Sequence, residues 1–526
     1  LQQFNFDSIV LSGDTEDLNV LSNDPAFAEL SLLFPNVNNI LIPKKVEYIL
    51  RKYVPKKSLK SIHPDPFIAV EKCLVFLSNL ASTFYADDKW KTLWSKLLHE
   101  QSKDNDNTFI YKRIVDVLVA GTKNGPLLEV DRRYHDGESM KYRIAEPYLK
   151  AGLTDYVLKT PKIIQTRNKL YYRQLFQAFN NPIALNLIQI YPRLDLPTSE
   201  ELLEIGKGLV KNGYLTKKGK KLTVRNKHQN HYWSDHHERS FVEDNIKLFE
   251  FLTQRGFMIP TEGSDKSGGR VVDSFTLMPS WIRDQITIDG VKLKEADFVA
   301  LHPNIAMTLY DGKSEYLNHQ KIADVLGEDL LTIKTEHLSF FNKKVVEMKA
   351  SPLYDYYETN ETEALKRIIL DKSKFGYKVT SRKLFKIEVE IMTEAITKLN
   401  QEGIYVVYVY DALLCEEKNL DRVRMIMNET AIRQGVKTKV KEQIPFVRSL
   451  PKLRLDEEID LCQILPIVGF TVSESMTVIG DLDHSKVEVR ELITYLIKQF
   501  KEQRFSDYNG VPIVKEHIAF LLQMVA

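Results

Sequence analysis

At 526 residues, with 43% hydrophobic and 27% charged residues, the chain has material for several domains and the balance of a globular protein, which excludes a disulfide-stapled peptide, a wholly disordered chain and a membrane-embedded bundle. Lys and Arg number 73 against 71 Asp and Glu, so any affinity for nucleic acid has to come from local basic patches and not from the net field. The three cysteines, Cys73, Cys415 and Cys462, form no Cys-x-x-Cys pair, which argues against a zinc ribbon or a secreted disulfide framework and for a reducing cytoplasm.

The first residue is Leu, as in a numbering that starts inside a longer product or on a processed chain. Between Pro66 and His99 apolar residues recur at helical spacing, and Thr108 to Ala120 continues the pattern in a second amphipathic helix. Leu127 to Tyr134 and Ser139 to Ile144 then read as two short strands joined at Asp136-Gly137, so that helix is followed by hairpin, the order of a winged helix. A second unit of this kind occupies Glu200 to Val224, where a helix ends near Asn212-Gly213 and two short strands flank a tip bearing Lys217, Lys218, Lys220 and Lys221. Residues 201–230 carry eight Lys/Arg against two Glu, a composition suited to a phosphate backbone or to a solvated turn. His228, His231, His236 and His237 lack cysteine partners and read as a linker, not a metal site. The expected organisation is a helical, winged-helix-like nucleic-acid-binding region over 1–225, a linker over 226–240, an α/β body over 241–450 and an accessory region over 451–526, which could dock a protein partner.

From 240 onward the pattern mixes helix and strand. Val242 to Gly256 is helical, 263–269 is a Gly/Ser/Asp loop, 292–299 is a strand, and 303–310 and 361–375 are helices. Gly403 to Cys415 reads as strand, turn and strand, followed by a helix over 420–435 and a closing strand over 436–440. The longest apolar runs, Ile404 to Val409 and Ile464 to Phe470, are far short of the roughly 18 residues of a spanning helix, so no membrane partner is expected.

Two acids stand out. In Lys294-Glu295-Ala296-Asp297-Phe298-Val299-Ala300-Leu301-His302-Pro303-Asn304 a carboxylate ends a strand and Pro303 opens the next helix, where its missing N–H costs nothing. In Tyr405 to Cys415 a single acid, Asp411, interrupts two apolar runs, as at the tip of a hairpin. Two acids on adjacent strands can share a pair of Mg²⁺ ions, or Mn²⁺, which clamp the attacking and leaving oxygens of a phosphoryl transfer. Around them lie Gly268-Gly269-Arg270, Leu277-Met278-Pro279, Arg283, and a cationic helix with Lys366 and Arg367 that runs to Phe375, Gly376 and Tyr377.

Over about 260–445 this succession resembles the superfamily of family A DNA polymerases and single-subunit phage and mitochondrial RNA polymerases. Gly269-Arg270, Leu277-Met278-Pro279, Arg283 and Asp297 follow the order that leads into that family's motif A. Tyr410-Asp411 is similar to its motif C, with Tyr for His and, in Ala412, the RNA polymerase spelling. The resemblance implies an α+β fold, a right-hand palm and fingers preceded by a mostly helical, winged-helix-like half. It implies catalytic, metal-binding Asp297 and Asp411 with two Mg²⁺ ions, and primer-template nucleic acid and nucleoside triphosphates as partners. Arg367 or Lys366 would meet the triphosphate, Phe375 or Tyr377 the base, and Arg270 and Arg283 the primer strand and triphosphate. His302 would lie at the sugar, where its bulk favours deoxynucleotides. A phage or plasmid gene is the expected source. The alternatives are an RNA polymerase or primase of the same superfamily, a replication initiator with an idle palm, and a metal-dependent phosphodiesterase on another fold.

Overall fold

The computed structural model describes residues 38–86, 88–104, 109–131, 139–216, 219–225, 237–442, 507–508 and 511–512. Strand β1 (Asn39–Pro43) buries Ile40 and Ile42 and is followed by helices Val46–Tyr53, Lys56–Ile62 and Pro66–Ser78. The last of these starts where Pro66 fills the first helical position and the Asp65 carboxylate accepts from the Phe67 N–H at 2.8 Å. Its residues Ala69 to Leu77 are all buried, which makes it the axis of the first hydrophobic core. Next come β2 (Lys91–Thr92), helices Ser95–Ser102 and Ile110–Ala120, then β3 (Leu128–Asp131) and β4 (Lys141–Ile144). These strands form an antiparallel sheet in the order β2-β4-β3. Strand β5 (Leu153–Val157) returns antiparallel to β1 with Ile40 opposite Tyr156. Buried Glu71 ties this return to the axial helix by accepting from Tyr156 Oη, Lys159 N and Thr160 N at 2.8–2.9 Å.

Helix Pro161–Phe179 leads out of this core: Ile163 belongs to the first core, Leu175 and Ala178 to a second that extends to Val440. The cores therefore part within this helix, well before the linker expected at 226–240. Most of that stretch, 226–236, lies outside the described residues, and a strand pair brackets it, β6 (Lys221–Thr223) running parallel to β7 (Arg239–Phe241). Ahead of β6, helix Ser199–Lys211 is closed by a capping box between Thr198 and Glu201, and Leu215 bridges Lys221 to close the expected hairpin. Lys217, Lys218, the turn at Asp136-Gly137 and His228, His231 and His236 lie outside the described residues.

After helix Val242–Thr253 come two small antiparallel pairs, β8 (Thr261–Glu262) with β9 (Val271–Val272) and β10 (Thr287–Ile288) with β11 (Val291–Lys292), separated by helical turns Ser274–Leu277 and Ser280–Arg283. The central sheet follows. Strand β12 (Lys294–Phe298) leads into a long run of helices, of which Thr362–Phe375 and Val379–Gln401 are the last. The hairpin β13 (Val407–Val409) and β14 (Ala412–Cys415), helix Leu420–Arg433 and β15 (Val440–Glu442) complete it. The order β13-β14-β12-β15, antiparallel throughout, is a split β-α-β-β-α-β arrangement on a mixed α+β chain. The closing strand thus begins at Val440, where 436–440 was expected. Cys73 lies in the first core and Cys415 in the second; burial pushes both thiols up to about 12.

From Gln443 onward the described residues are β16 (Asp507–Tyr508) and β17 (Val511–Pro512), paired antiparallel. The apolar spacing of Val487 to Arg504 suits an amphipathic helix, and this stretch lies outside the described residues. Among the described residues no helix is long and apolar enough to cross a membrane.

Candidate active site

Asp297 alternates with buried Ala296 and Phe298 on β12, so its side chain is on the face opposite theirs. In register it faces Ala412 on β14, and the Phe298 N–H donates to the Asp411 carbonyl at 3.4 Å, which brings the two acid-bearing residues onto neighbouring strands. Tyr410 and Asp411 are the two central residues of the β13–β14 hairpin. Tyr410 has φ of +59° while Asp411 keeps a negative φ, the pattern of a type II′ turn, whose first central residue is normally glycine. Ala300, which precedes the helix Leu301–Leu309, has φ of +51°. An alanine and a tyrosine held in the left-handed region cost about 1 kcal/mol or more each, and such strain collects at functional sites. Buried Asn304 secures the Ala300 corner by donating to the Ala300 and Leu317 carbonyls at 2.9 and 3.0 Å and accepting from the Leu317 N–H at 2.6 Å.

The site acquires a third acid that the sequence reading missed. Glu388 lies on helix Val379–Gln401, fully buried, and receives Arg270 Nε at 2.8 Å and His302 Nε2 at 2.6 Å. Burial alone would raise its pKa, but the His302 hydrogen bond and the charges of His302 and Arg270 outweigh it and hold the carboxyl below the usual range. An ionised Glu388 fixes the proton of His302 on Nε2. Arg270 also stacks on Phe385, 3.8 Å from its ring centre, and stands 4.8 Å from that of Tyr410. The glycines before Arg270 let this happen: a Cβ on Gly268 would come within 2.6 Å of Phe385 Cβ and Lys386 N, so only glycine allows the loop to rest on the helix.

Asp411 feels this arrangement. Burial first, and then the Glu388 charge, raise its pKa, opposed by His302 and Arg270. Beside it Tyr408 is fully buried, with its hydroxyl lacking a hydrogen-bond partner and its pKa driven far up by burial and by Glu388. A carboxylate whose charge the protein leaves undercompensated and a second acid on the next strand form a donor pair that fits a hard cation. Among the described residues no group of three or more His, Cys, Asp or Glu is gathered as a metal cage. Mg²⁺ takes one or two carboxylates and completes its shell with water and phosphate oxygens, so the Asp297 and Asp411 pair suits it.

Of the residues expected from sequence, Asp297, Asp411, Arg270 and His302 come together, and the others do not join them by a described contact. Arg283 is buried, its guanidinium donating to the Phe275 and Met278 carbonyls at 2.8 and 3.4 Å, so it braces the turn ahead of β10. Lys366 pairs with Glu363, one helical turn away, and Arg367 with Asp311. Phe375 is 67% exposed. Tyr377 offers its carbonyl to Lys372, whose buried ammonium also serves the Phe341 and Lys343 carbonyls, and burial brings the Lys372 pKa down to about 8. Lys221 is exposed on β6, and Lys220 precedes it in the Leu215–Lys221 hairpin. Glu388 had one signal in the sequence: an acid at i+4 from Leu384 and i−3 and i−4 from Ile391 and Met392, on the apolar stripe of a helix. No protein-family model and no curated protein matches the chain.

Proposed function

We propose that the chain is a template-directed nucleic-acid polymerase of the family A and single-subunit RNA polymerase type, with β12 to β15 as palm, the helices between β12 and β13 as fingers, and the helical half before them as a winged-helix-like nucleic-acid-binding region. The observation that carries this reading is the pair of acids, Asp297 on β12 and Asp411 at the β13–β14 turn, on neighbouring strands of a split β-α-β-β-α-β sheet. Asp297 and Asp411 would hold Mg²⁺, which when bound lowers the pKa of an attacking hydroxyl and neutralises charge on the leaving phosphate. Glu388 orients Arg270 and His302 through direct hydrogen bonds, so that both side chains are fixed before substrate arrives. His302, five residues after Asp297 and packed edge-on to Phe385, borders the sugar and favours deoxynucleotides by its bulk.

The reading is tested by primer extension on DNA and RNA templates with all eight nucleotides. Asp297→Asn and Asp411→Asn are each expected to lower incorporation by on the order of a thousandfold or more while the protein stays folded. Wild-type extension by either variant refutes the assignment. A second reading, a replication initiator whose palm does not transfer nucleotides, is favoured by the engagement of Arg283 with backbone carbonyls and of Lys366 and Arg367 with acids. Absence of extension on every template, with nucleic-acid binding retained, would select it.

A further inference from the structure

The first core carries a cationic face that the Asp297 and Asp411 chemistry does not use. Helix Ile110–Ala120 turns Ile110, Tyr111, Ile114, Val117 and Leu118 inward, and this leaves Lys112, Arg113 and Asp116 exposed on its outer side. Against it lies helix Lys56–Ile62, which has no acid and exposes Lys56, Lys57 and Lys60. The two are tied where Arg113 Nη1 donates to the Ser61 carbonyl at 3.0 Å. That bond keeps a guanidinium beside the lysine-bearing helix and spends only one of its five donors on the protein. Charge repulsion among these cations is answered by Asp116 alone on the two helices.

The surroundings say what such a face can meet. Helix Ile110–Ala120 is the second of two successive helices, after Ser95–Ser102, and is followed by the β3–β4 pair, with β2 completing the sheet. In helix-turn-helix arrangements the second helix enters the major groove by its N-terminal residues while its neighbours touch the phosphates. Here the cations Lys112 and Arg113 are at that N-terminal end, next to Phe109, which is 55% exposed and carries the Lys112 ammonium 4.9 Å from its ring centre. We infer that this face docks double-stranded DNA, with helix Ile110–Ala120 in the major groove and Lys57 and Lys60 on the flanking phosphates. The inference rests on the nucleic-acid reading above only for the class of partner, and it assigns a site separate from the basic tip at 217–221.

The test is fluorescence anisotropy of the full chain on a duplex of about 20 base pairs and on one of its single strands, in EDTA and without nucleotides, over a salt series. Neutralising Lys57, Lys60, Lys112 and Arg113 to Ala is expected to reduce the slope of log affinity against log salt on the duplex by up to about 3.6, at roughly 0.9 per phosphate contact, with a smaller change on the single strand. The pair Lys112→Gln and Arg113→Gln is expected to reproduce about half of that change, and a thermal melt of each variant checks the fold. An unchanged duplex slope overturns the inference, and so does an equal loss on the single strand. The assay contains neither metal nor nucleotide, so a failure of the nucleotidyl-transfer reading leaves this result legible.

Discussion

Asp411 stands in a field that disfavours its charge, because burial and the neighbouring Glu388 both oppose ionisation. A carboxyl whose folded-state pKa is raised loses stability as pH climbs from the ordinary carboxylate range through that raised value. Asp411→Asn is therefore expected to raise the melting temperature in EDTA at neutral pH by a few degrees while abolishing extension; a variant that melts lower would mean that the charge is already compensated. Glu388 behaves oppositely: its pKa is depressed, so its contribution is present above the unfolded value and is lost as pH falls through the folded one. Glu388→Gln should move the acid limb of the pH–activity profile to lower pH, since Asp411 then ionises more easily. A merely structural Glu388 would leave the limb where it is. Ala300→Gly relieves the left-handed backbone at the corner after β12 and should add about 0.5 to 1 kcal/mol in urea unfolding, the strain relief exceeding the extra chain entropy of glycine.

Among the elements, legibility followed the length and regularity of apolar pattern. β12 and the β13–β14 hairpin could be read because alternation and apolar runs bracket Asp297 and Asp411, and helices Ser199–Lys211 and Leu420–Arg433 because their apolar stripes end at Asn-Gly or Gly. Helix Val379–Gln401 escaped: Arg382, Lys383, Lys386, Glu388 and Glu390 make its first half look like surface, although Leu384, Ile391, Met392 and Ala395 are buried. What no linear pattern could supply was the direction of the arginines. Arg270 and Arg283 are equally plausible in sequence, yet one is drawn to buried Glu388 and the other to carbonyls of its own turn. The helices between Asn318 and Asn360 went unread as well, and they hold a pH-sensitive pair: His319 and His337, 5.0 Å apart between ring centres. Burial, with Lys334 adding to it, lowers the His319 pKa to about 4. Because the unfolded chain takes up a proton near 6.5, stability should fall as pH drops from about 6.5 to about 4. His319→Leu should flatten that dependence in thermal melts; an unaltered pH profile would remove His319 as its source.

Over the residues up to Glu442, two hydrophobic cores share one chain and are linked by helix Pro161–Phe179, of which only Ile163, Leu175 and Ala178 are buried. Among the described residues, contacts across the divide include Arg173 with Glu100, Arg255 with Asp155, and the Tyr85 ring 5.6 Å from that of Phe251. Such links are weak beside the apolar burial within each core, so calorimetry should resolve more than one transition, and the early part of the first should shift with salt. The separation also gives each core its own built-in chemical clock. Cys73 and Cys415 are sealed in different cores, and a thiolate-directed reagent can reach either one only when its surroundings open. With Cys462 replaced by Ser, the labelling rates of the two sulfurs would time the breathing of the half built on the first core and of the acid-bearing half independently, in one sample. Added DNA or Mg²⁺ would then reveal, by which rate it slows, the half on which it acts.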